Sequence, residues 1–192
     1  MTTIVAVISQ GRTVMAADSA VTFNGEIQQR VLPKIFRTGD MLIGAAGLSR
    51  LGTVLRNRVT LTCPEPDTDL DDFMVETFCP HLQTILSDNH LWDEAERQFD
   101  GCLLVAVRDV IFEVHGNLDP CRFAVPFNAI GSGSAYALGS LHTTASRWFE
   151  PEYRADQALY AAAQFDNCTR LPSTVVTLEH PAHRPAPNAV GA

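Results

Sequence analysis

The stretch MTTIVAVISQ, residues 1–10, sets two threonines directly in front of a β-branched apolar run, Ile4 to Ile8. A nearly continuous run of this kind reads as a buried strand rather than one with a wet face. Such a strand fixes whatever sits at its mouth. When Met1 is removed, as an initiator methionine usually is before a small residue, Thr2 carries a hydroxyl and a free α-amine on one rigid terminus. That is a nucleophile with its own base. The plainer reading is that Thr2 and Thr3 are simply good strand formers, and the rest of the chain has to decide between the two.

Outward from this strand the first fifty residues read as a series of hairpins. TIVAVIS is followed by a turn at Gly11 and by RTVMAADSA; Asn24-Gly25 is a turn dipeptide ahead of IQQRV and KIFRTG; DMLIGAAG returns as another buried strand. The period then changes. Leu51, Val54, Leu55 and Val59 recur at helical spacing, and after the break at CPEP either Thr68 or Asp69 caps a second helix. Leu70, Phe73, Met74, Thr77, Phe78, Leu82, Ile85 and Leu86 form its apolar face, Pro80 is expected to kink it, and the segment ending at Gln98 is expected to be helical. CLLVAVRD and VIFEVHG form a second hairpin turning near Arg108 and Asp109, and a short strand is expected from Arg122 to Val125. AIGSGSAYALGSL runs from strand through a glycine-serine turn into a helix, a further helix spans about Glu152 to Phe165, and PSTVVTLEH is a final strand.

Strands, helices, strands, helices, strand is not the alternation of a parallel βαβ fold. It predicts an α+β protein with antiparallel sheets and helices grouped in outer layers. The 192 residues suit one domain, expected over 1–180, with a Pro/Ala-rich C-terminal tail at 181–192. A formal charge of −8, from 14 basic and 22 acidic residues, offers no basic field to nucleic acid or an anionic membrane, and neither partner is expected. No apolar stretch reaches the ~20 residues of a spanning helix, and the start lacks the basic and apolar regions of a signal peptide, so a cytoplasmic protein is expected. Cys63, Cys79, Cys102, Cys121 and Cys168 are odd in number and scattered, which suggests neither a disulfide framework nor a zinc site. His81, His90, His115, His142, His180 and His183 show no metal-ligand spacing.

Against this background several islands stand out: TTIVAV at the terminus, AADSA with Asp18 at the end of the second strand, PKIF with Lys34 opening a strand, IGSGSAYA with Ser132 in a glycine turn at a helix start, and FDNCT with Asp166 and Thr169. Singly, Asp18 reads equally as a turn residue, Lys34 as a surface charge and Ser132 as a helix cap. Jointly, an Asp, a Lys and a terminal Thr at strand mouths have no other common reason to appear.

In this order and at these spacings the islands resemble the proteasome β-subunit family of N-terminal nucleophile hydrolases, and the short direct start is similar to its HslV-like bacterial threonine peptidases. The likeness covers Met1 to about Gly47 and resumes from AIGSGSAYA to Asp166; between Pro64 and Gln98 only the helical layer matches. The resemblance implies a four-layer αββα sandwich, two antiparallel sheets between helical layers. It implies a threonine-type endopeptidase subunit with Thr2 as nucleophile and its α-amine as base. Lys34 would supply a cation that Asp18 orients, the Gly47 N–H would supply the oxyanion donor, and Ser132, Asp166 and Thr169 would form the hydrogen-bond network around the amine. No cofactor is required for this chemistry, although the relatives' loop can bind a monovalent cation through carbonyls, a pattern that Asp166 and Cys168 fit in part. The implied partners are unfolded polypeptide or peptide substrates, other copies in a hexameric or heptameric ring stacked in two, and an ATP-dependent unfoldase.

Three departures bear on the site. Thr169 stands where the family usually has Ser, Arg170-Leu171-Pro172 replaces its glycine pair, and the spacing from Lys34 to Gly47 is shorter than usual. Retention of Met1 would turn the Thr2 amine into an amide and remove the base. The alternatives are a non-catalytic ring or scaffold subunit of the same fold and a small-molecule amide hydrolase of the same superfamily.

Overall fold

The computed structural model describes residues 2–23, 26–29 and 33–179. The predicted turn at Asn24-Gly25 and the tail at 181–192 lie outside the described residues.

Strands β1 (Thr3–Ser9), β2 (Arg12–Ala17), β3 (Ala20–Phe23), β4 (Glu26–Gln29), β5 (Ile35–Thr38) and β6 (Met41–Gly47) come first. Helix α1 (Ser49–Arg58) follows. Next, α2 (Leu70–Phe73) continues through a π-helical turn (Met74–Phe78) into α3 (Cys79–Asp88). After β7 (Trp92–Asp93), β8 (Gln98–Phe99), β9 (Gly101–Val107), β10 (Val110–Val114), β11 (Pro120–Arg122) and β12 (Phe127–Gly131) come α4 (Ser134–Thr144), α5 (Pro151–Phe165) and β13 (Thr174–Glu179).

One sheet runs β12-β1-β2-β13 and the other β11-β10-β9-β6-β5, every pairing in them antiparallel. The side-chain period of two then sorts the apolar strands between two layers. On β1, Ile4 and Ala6 point between the sheets, where they meet Met15, Leu42, Leu104 and Ala106. Val5 and Val7 point the other way, onto Ala137 and Leu141 of α4 and Ala155, Ala158, Leu159 and Ala162 of α5. On β6, Leu42 and Ala46 face the partner sheet while Met41, Ile43 and Ala45 face α1 and the 70–88 helix. Both sheets are therefore covered twice, which is why their strands read as unbroken apolar runs. The layers are αββα, as expected from the sequence.

The helices keep their predicted faces with two adjustments. Leu51, Leu55 and Val59 are buried, and the Asp69 carboxylate caps α2 by accepting from the N–H groups of Asp71 (2.8 Å) and Asp72 (3.2 Å). Pro80, expected to kink the helix, has no N–H to donate backwards and stands in the first turn of α3, directly after the π-helical turn. That turn changes the phase of the helix, so Thr77, predicted on the apolar face, is exposed while Met74 and Phe78 stay buried.

Two expectations are corrected. The segment before Gln98 is not helical but folds into the small β7-β8 hairpin, with the Asp93 carboxylate accepting from the N–H groups of Ala95 (2.8 Å) and Glu96 (3.0 Å) to make its turn. The strand placed at Arg122–Val125 ends at Arg122, because pairing with β10 (Val114↔Pro120, Phe112↔Arg122) stops there. Among the described residues no helix is long and apolar enough to cross a membrane.

Leu104, fully buried between the sheets, tests the sandwich directly. Leu104→Ala should cost about 2–5 kcal/mol by urea unfolding with an unchanged m-value.

Candidate active site

Alternation along β1 sends the two threonines of the opening stretch to opposite faces. Thr2, in phase with Ile4, lines an open cleft together with Val21, Pro33, Lys34, Ala45, Gly47, Leu48, Ser49, Gly52 and Thr53; it encloses about 470 Å³ including the solvent at its mouth. Thr3, in phase with Val5, is fully buried on the helix side.

Asp18, just past β2, is the hub. Its side chain is wholly buried, and both carboxylate oxygens are used: Oδ1 accepts from the Lys34 ammonium (2.6 Å) and the Thr3 N–H (2.9 Å), and Oδ2 from the Ala20 N–H (2.9 Å) and the Arg170 N–H (3.2 Å). A buried carboxylate is tolerable only when so fully paired. The Asp18 N–H closes the arrangement by donating to the Thr3 carbonyl (3.1 Å). Lys34, immediately before β5, has a side chain only 11% exposed. Burial pushes its ammonium below the ordinary lysine range, opposed by the charge of Asp18 and the hydrogen bond to it.

The second group lies on the other side of the terminus. Ser132 Oγ donates to Asp166 Oδ2 (2.8 Å), Thr169 Oγ1 donates to the same oxygen (2.5 Å), and Thr169 Oγ1 lies 2.6 Å from Thr3 Oγ1. Ser132 is tied to the nucleophile candidate as well, its N–H donating to the Thr2 carbonyl (3.0 Å). The glycines of IGSG make this approach possible. At Gly131 φ is +94° and a Cβ would stand 1.8 Å from the Thr2 carbonyl oxygen; at Gly133 it would stand 2.5 Å from Thr3 Oγ1. Gly47, the last residue of β6, has φ +133° and lies in the cleft wall, its backbone packed so closely on Asp100 and Gly101 that no side chain fits.

All seven residues singled out in the sequence therefore gather around the start of β1: Thr2, Lys34 and Gly47 in the cleft, Asp18 beneath it, and Ser132, Asp166 and Thr169 beside it. The Arg170-Leu171-Pro172 departure leaves the loop attached, since the Arg170 carbonyl accepts from the Ser19 N–H (2.9 Å) while its N–H reaches Asp18. A monovalent cation held by this loop's carbonyls is a poor fit. The Thr169 carbonyl already accepts from the Arg170 guanidinium (2.8 Å), a fixed positive charge, and the Asp166 carbonyl from the Thr169 N–H (3.3 Å). Among the described residues no group of His, Cys, Asp and Glu could hold a metal ion. The residue that sequence reasoning missed is Thr3, taken as a strand former; a hydroxyl inside an otherwise apolar strand was the available signal.

A threonine at the mouth of a rigid strand, with a paired lysine beside it and a cleft in front, is the arrangement an N-terminal nucleophile hydrolase site requires. The chain belongs to the proteasome family: the proteasome subunit model matches residues 1–167. It is similar to the ATP-dependent protease subunit HslV of Pseudothermotoga lettingae, 30% identical over 141 residues that cover 72% of this chain and 75% of the relative. The same subunit from Aquifex aeolicus is 28% identical over 138 residues, 71% of this chain and 73% of the relative. Among solved structures, Thiobacillus denitrificans BPH in complex with epoxomicin superposes with a TM-score of 0.77 at 26% identity, covering 92% of this chain and 98% of that one. Eukaryotic HslV from Trypanosoma brucei, at TM-score 0.69 and 22% identity over 93% and 99% of the two chains, shares the fold.

The Lys34 shift gives a test with a definite sign. With its folded pKa below 10.5, the native chain binds fewer protons at Lys34 than the unfolded chain between the two values, so this group's contribution to stability rises with pH through that window. Unfolding free energies of wild type and Lys34→Met, compared at pH 8 and pH 10, should show the wild type gaining relative to the variant at the higher pH.

Proposed function

We propose that the chain is a threonine peptidase subunit of a self-compartmentalised, HslV-like protease, in which Thr2, freed by removal of Met1, hydrolyses peptide bonds. One observation carries this reading: Asp18 binds the backbone of Thr3 and the ammonium of Lys34 through the same oxygen, and so holds a cation beside the residue that lines the cleft.

In the reaction the Thr2 α-amine takes the hydroxyl proton as Oγ1 attacks the amide carbonyl, forming an acyl ester. The departing amine receives that proton, and water then hydrolyses the ester and restores the terminus. Lys34 lowers the amine's proton affinity and stabilises the developing alkoxide, and Asp18 keeps Lys34 in place. The Gly47 N–H faces the carbonyl oxygen as it becomes negative. Ser132, Asp166 and Thr169 hold the amine. None of these steps draws on a cofactor.

The relatives' designation as subunits of an ATP-dependent protease supports further assignments. These are a hexameric or heptameric ring stacked in two, sites facing an inner chamber, unfolded polypeptide as substrate, an ATP-driven unfoldase as partner and the cytoplasm as location. Peptides would bind extended beside β6, read by their backbone.

Thr2→Ala should abolish cleavage of short fluorogenic peptides, and Asp18→Asn or Lys34→Met should lower kcat on the order of 10²- to 10⁴-fold. Equal cleavage by wild type and Thr2→Ala would refute the assignment. Mass spectrometry of the N-terminus should find Met1 absent from the working enzyme, whereas full retention would favour a non-catalytic ring subunit.

The cleft also implies a preference. Apart from Lys34 its lining is uncharged, and a Cβ on Gly52 would make ordinary van der Waals contact with that of Ala45 (3.7 Å), so these two small residues pack together in its wall. An uncharged wall of this kind suits an apolar side chain next to the cut bond, and bulk added at Ala45 would narrow the cleft. Ala45→Met should lower kcat/KM for leucine at that position roughly tenfold relative to alanine.

A further inference from the structure

Thr3 joins the two halves of the site. Its backbone exchanges hydrogen bonds with Asp18, and its hydroxyl enters the Thr169, Asp166 and Ser132 group. The direction of the hydroxyl bonds follows from simple chemistry. An ionised Asp166 carboxylate only accepts, so Thr169 spends its single hydroxyl proton on Asp166 Oδ2 (2.5 Å). In the 2.6 Å contact between the two threonine hydroxyls the donor is therefore Thr3. Thr3 Oγ1 in turn accepts from the Gly133 N–H (3.1 Å). The chain runs one way: Gly133 N–H to Thr3, Thr3 to Thr169, Thr169 to Asp166, with Ser132 Oγ arriving at the same carboxylate oxygen (2.8 Å). Hydrogen bonds aligned head to tail strengthen one another, and Thr3 and Thr169 are both fully buried, where that strengthening is greatest.

Resting on the reading of Thr2 as nucleophile, we infer that Thr3 is a positioning residue for the reaction, whose hydroxyl sets how much negative charge Asp166 presents to the terminal amine. Ser132 makes the connection, because it donates to Asp166 through Oγ and to the Thr2 carbonyl through its N–H. Without the Thr3 hydroxyl, the Gly133 N–H loses its buried acceptor and Thr169 loses an incoming proton. Its donation to Asp166 weakens, the carboxylate keeps more charge, and the protonated amine is favoured. The free-base terminus that catalysis needs then forms at higher pH.

The test compares processed wild type, Thr3→Val, Thr3→Ser and Thr2→Ala in a peptide-hydrolysis assay across pH, with the N-terminus of each checked by mass spectrometry. Valine keeps the shape and the β-branch but removes the hydroxyl; serine keeps the hydroxyl. Thr3→Val is expected to lower kcat about tenfold with KM nearly unchanged, and to move the acid limb of kcat/KM to higher pH. Thr3→Ser is expected to restore both. A Thr3→Val enzyme with wild-type kcat and pH profile, or a Thr3→Ser enzyme as impaired as Thr3→Val, overturns the inference. Should Thr3→Val fail to fold, Thr169→Val removes the acceptor of the Thr3 proton instead and must move the acid limb the same way; an unmoved limb overturns the inference equally. If Thr2→Ala is inactive while Thr3→Val behaves as wild type, this inference alone falls; if Thr2→Ala is active, the nucleophile assignment itself falls.

Discussion

A single buried carboxylate organises the working end of this protein. Asp18 is cut off from water and compensated by three backbone N–H groups and one ammonium, drawn from β1, the turn into β3, the loop after α5 and the residue before β5. Because an uncompensated charge in that position would cost several kcal/mol, all four segments must arrive together. The first sheet brings β1 beside β2, the Arg170 loop closes from the helix side, and Lys34 reaches across from the second sheet. The same oxygen that receives the Thr3 N–H receives Lys34, so the placement of the terminus and the placement of the cation are one constraint.

Glycine supplies the second constraint. The terminus of β1 can approach the turn after β12 only because Gly131 and Gly133 present no side chain to Thr2 and Thr3. That close approach puts Ser132 against the Thr2 carbonyl and opens α4 next to the site. On the opposite wall, Gly47 ends β6 in a backbone conformation that ordinary residues avoid, at the point where the strand leaves the sheet for α1. Backbone at Gly47 thus forms part of the cleft wall, and few side chains carry the proposed chemistry.

These constraints bear on how the threonine pair is used. One strand places consecutive hydroxyls on opposite faces, Thr2 toward the cleft and Thr3 into the packed layer beneath α4 and α5. The proposed nucleophile and the group that steadies its surroundings are therefore linked by a single peptide unit, with no intervening flexibility. Family membership and the HslV-like relatives are in keeping with such an economical terminus.

By itself the sequence determined the strand-helix-strand order, the hydrophobic faces of α1 and the 70–88 helix, and the identity of the site islands. Period and residue type are local properties, and Asp18, Lys34 and Ser132 are conspicuous among apolar strands. It misread the region before Gln98, where side-chain capping by Asp93 outweighs amphipathic spacing, and the phase near Thr77, where a π-helical turn adds a residue to the period. Tertiary structure alone decided the rest. Which of two adjacent threonines faces the cleft depends on sheet register, a property of pairing between residues more than a hundred positions apart. The role of the Thr3 hydroxyl depends on β1, the turn after β12 and the loop after α5 meeting in space, and no periodicity within a single segment records that meeting.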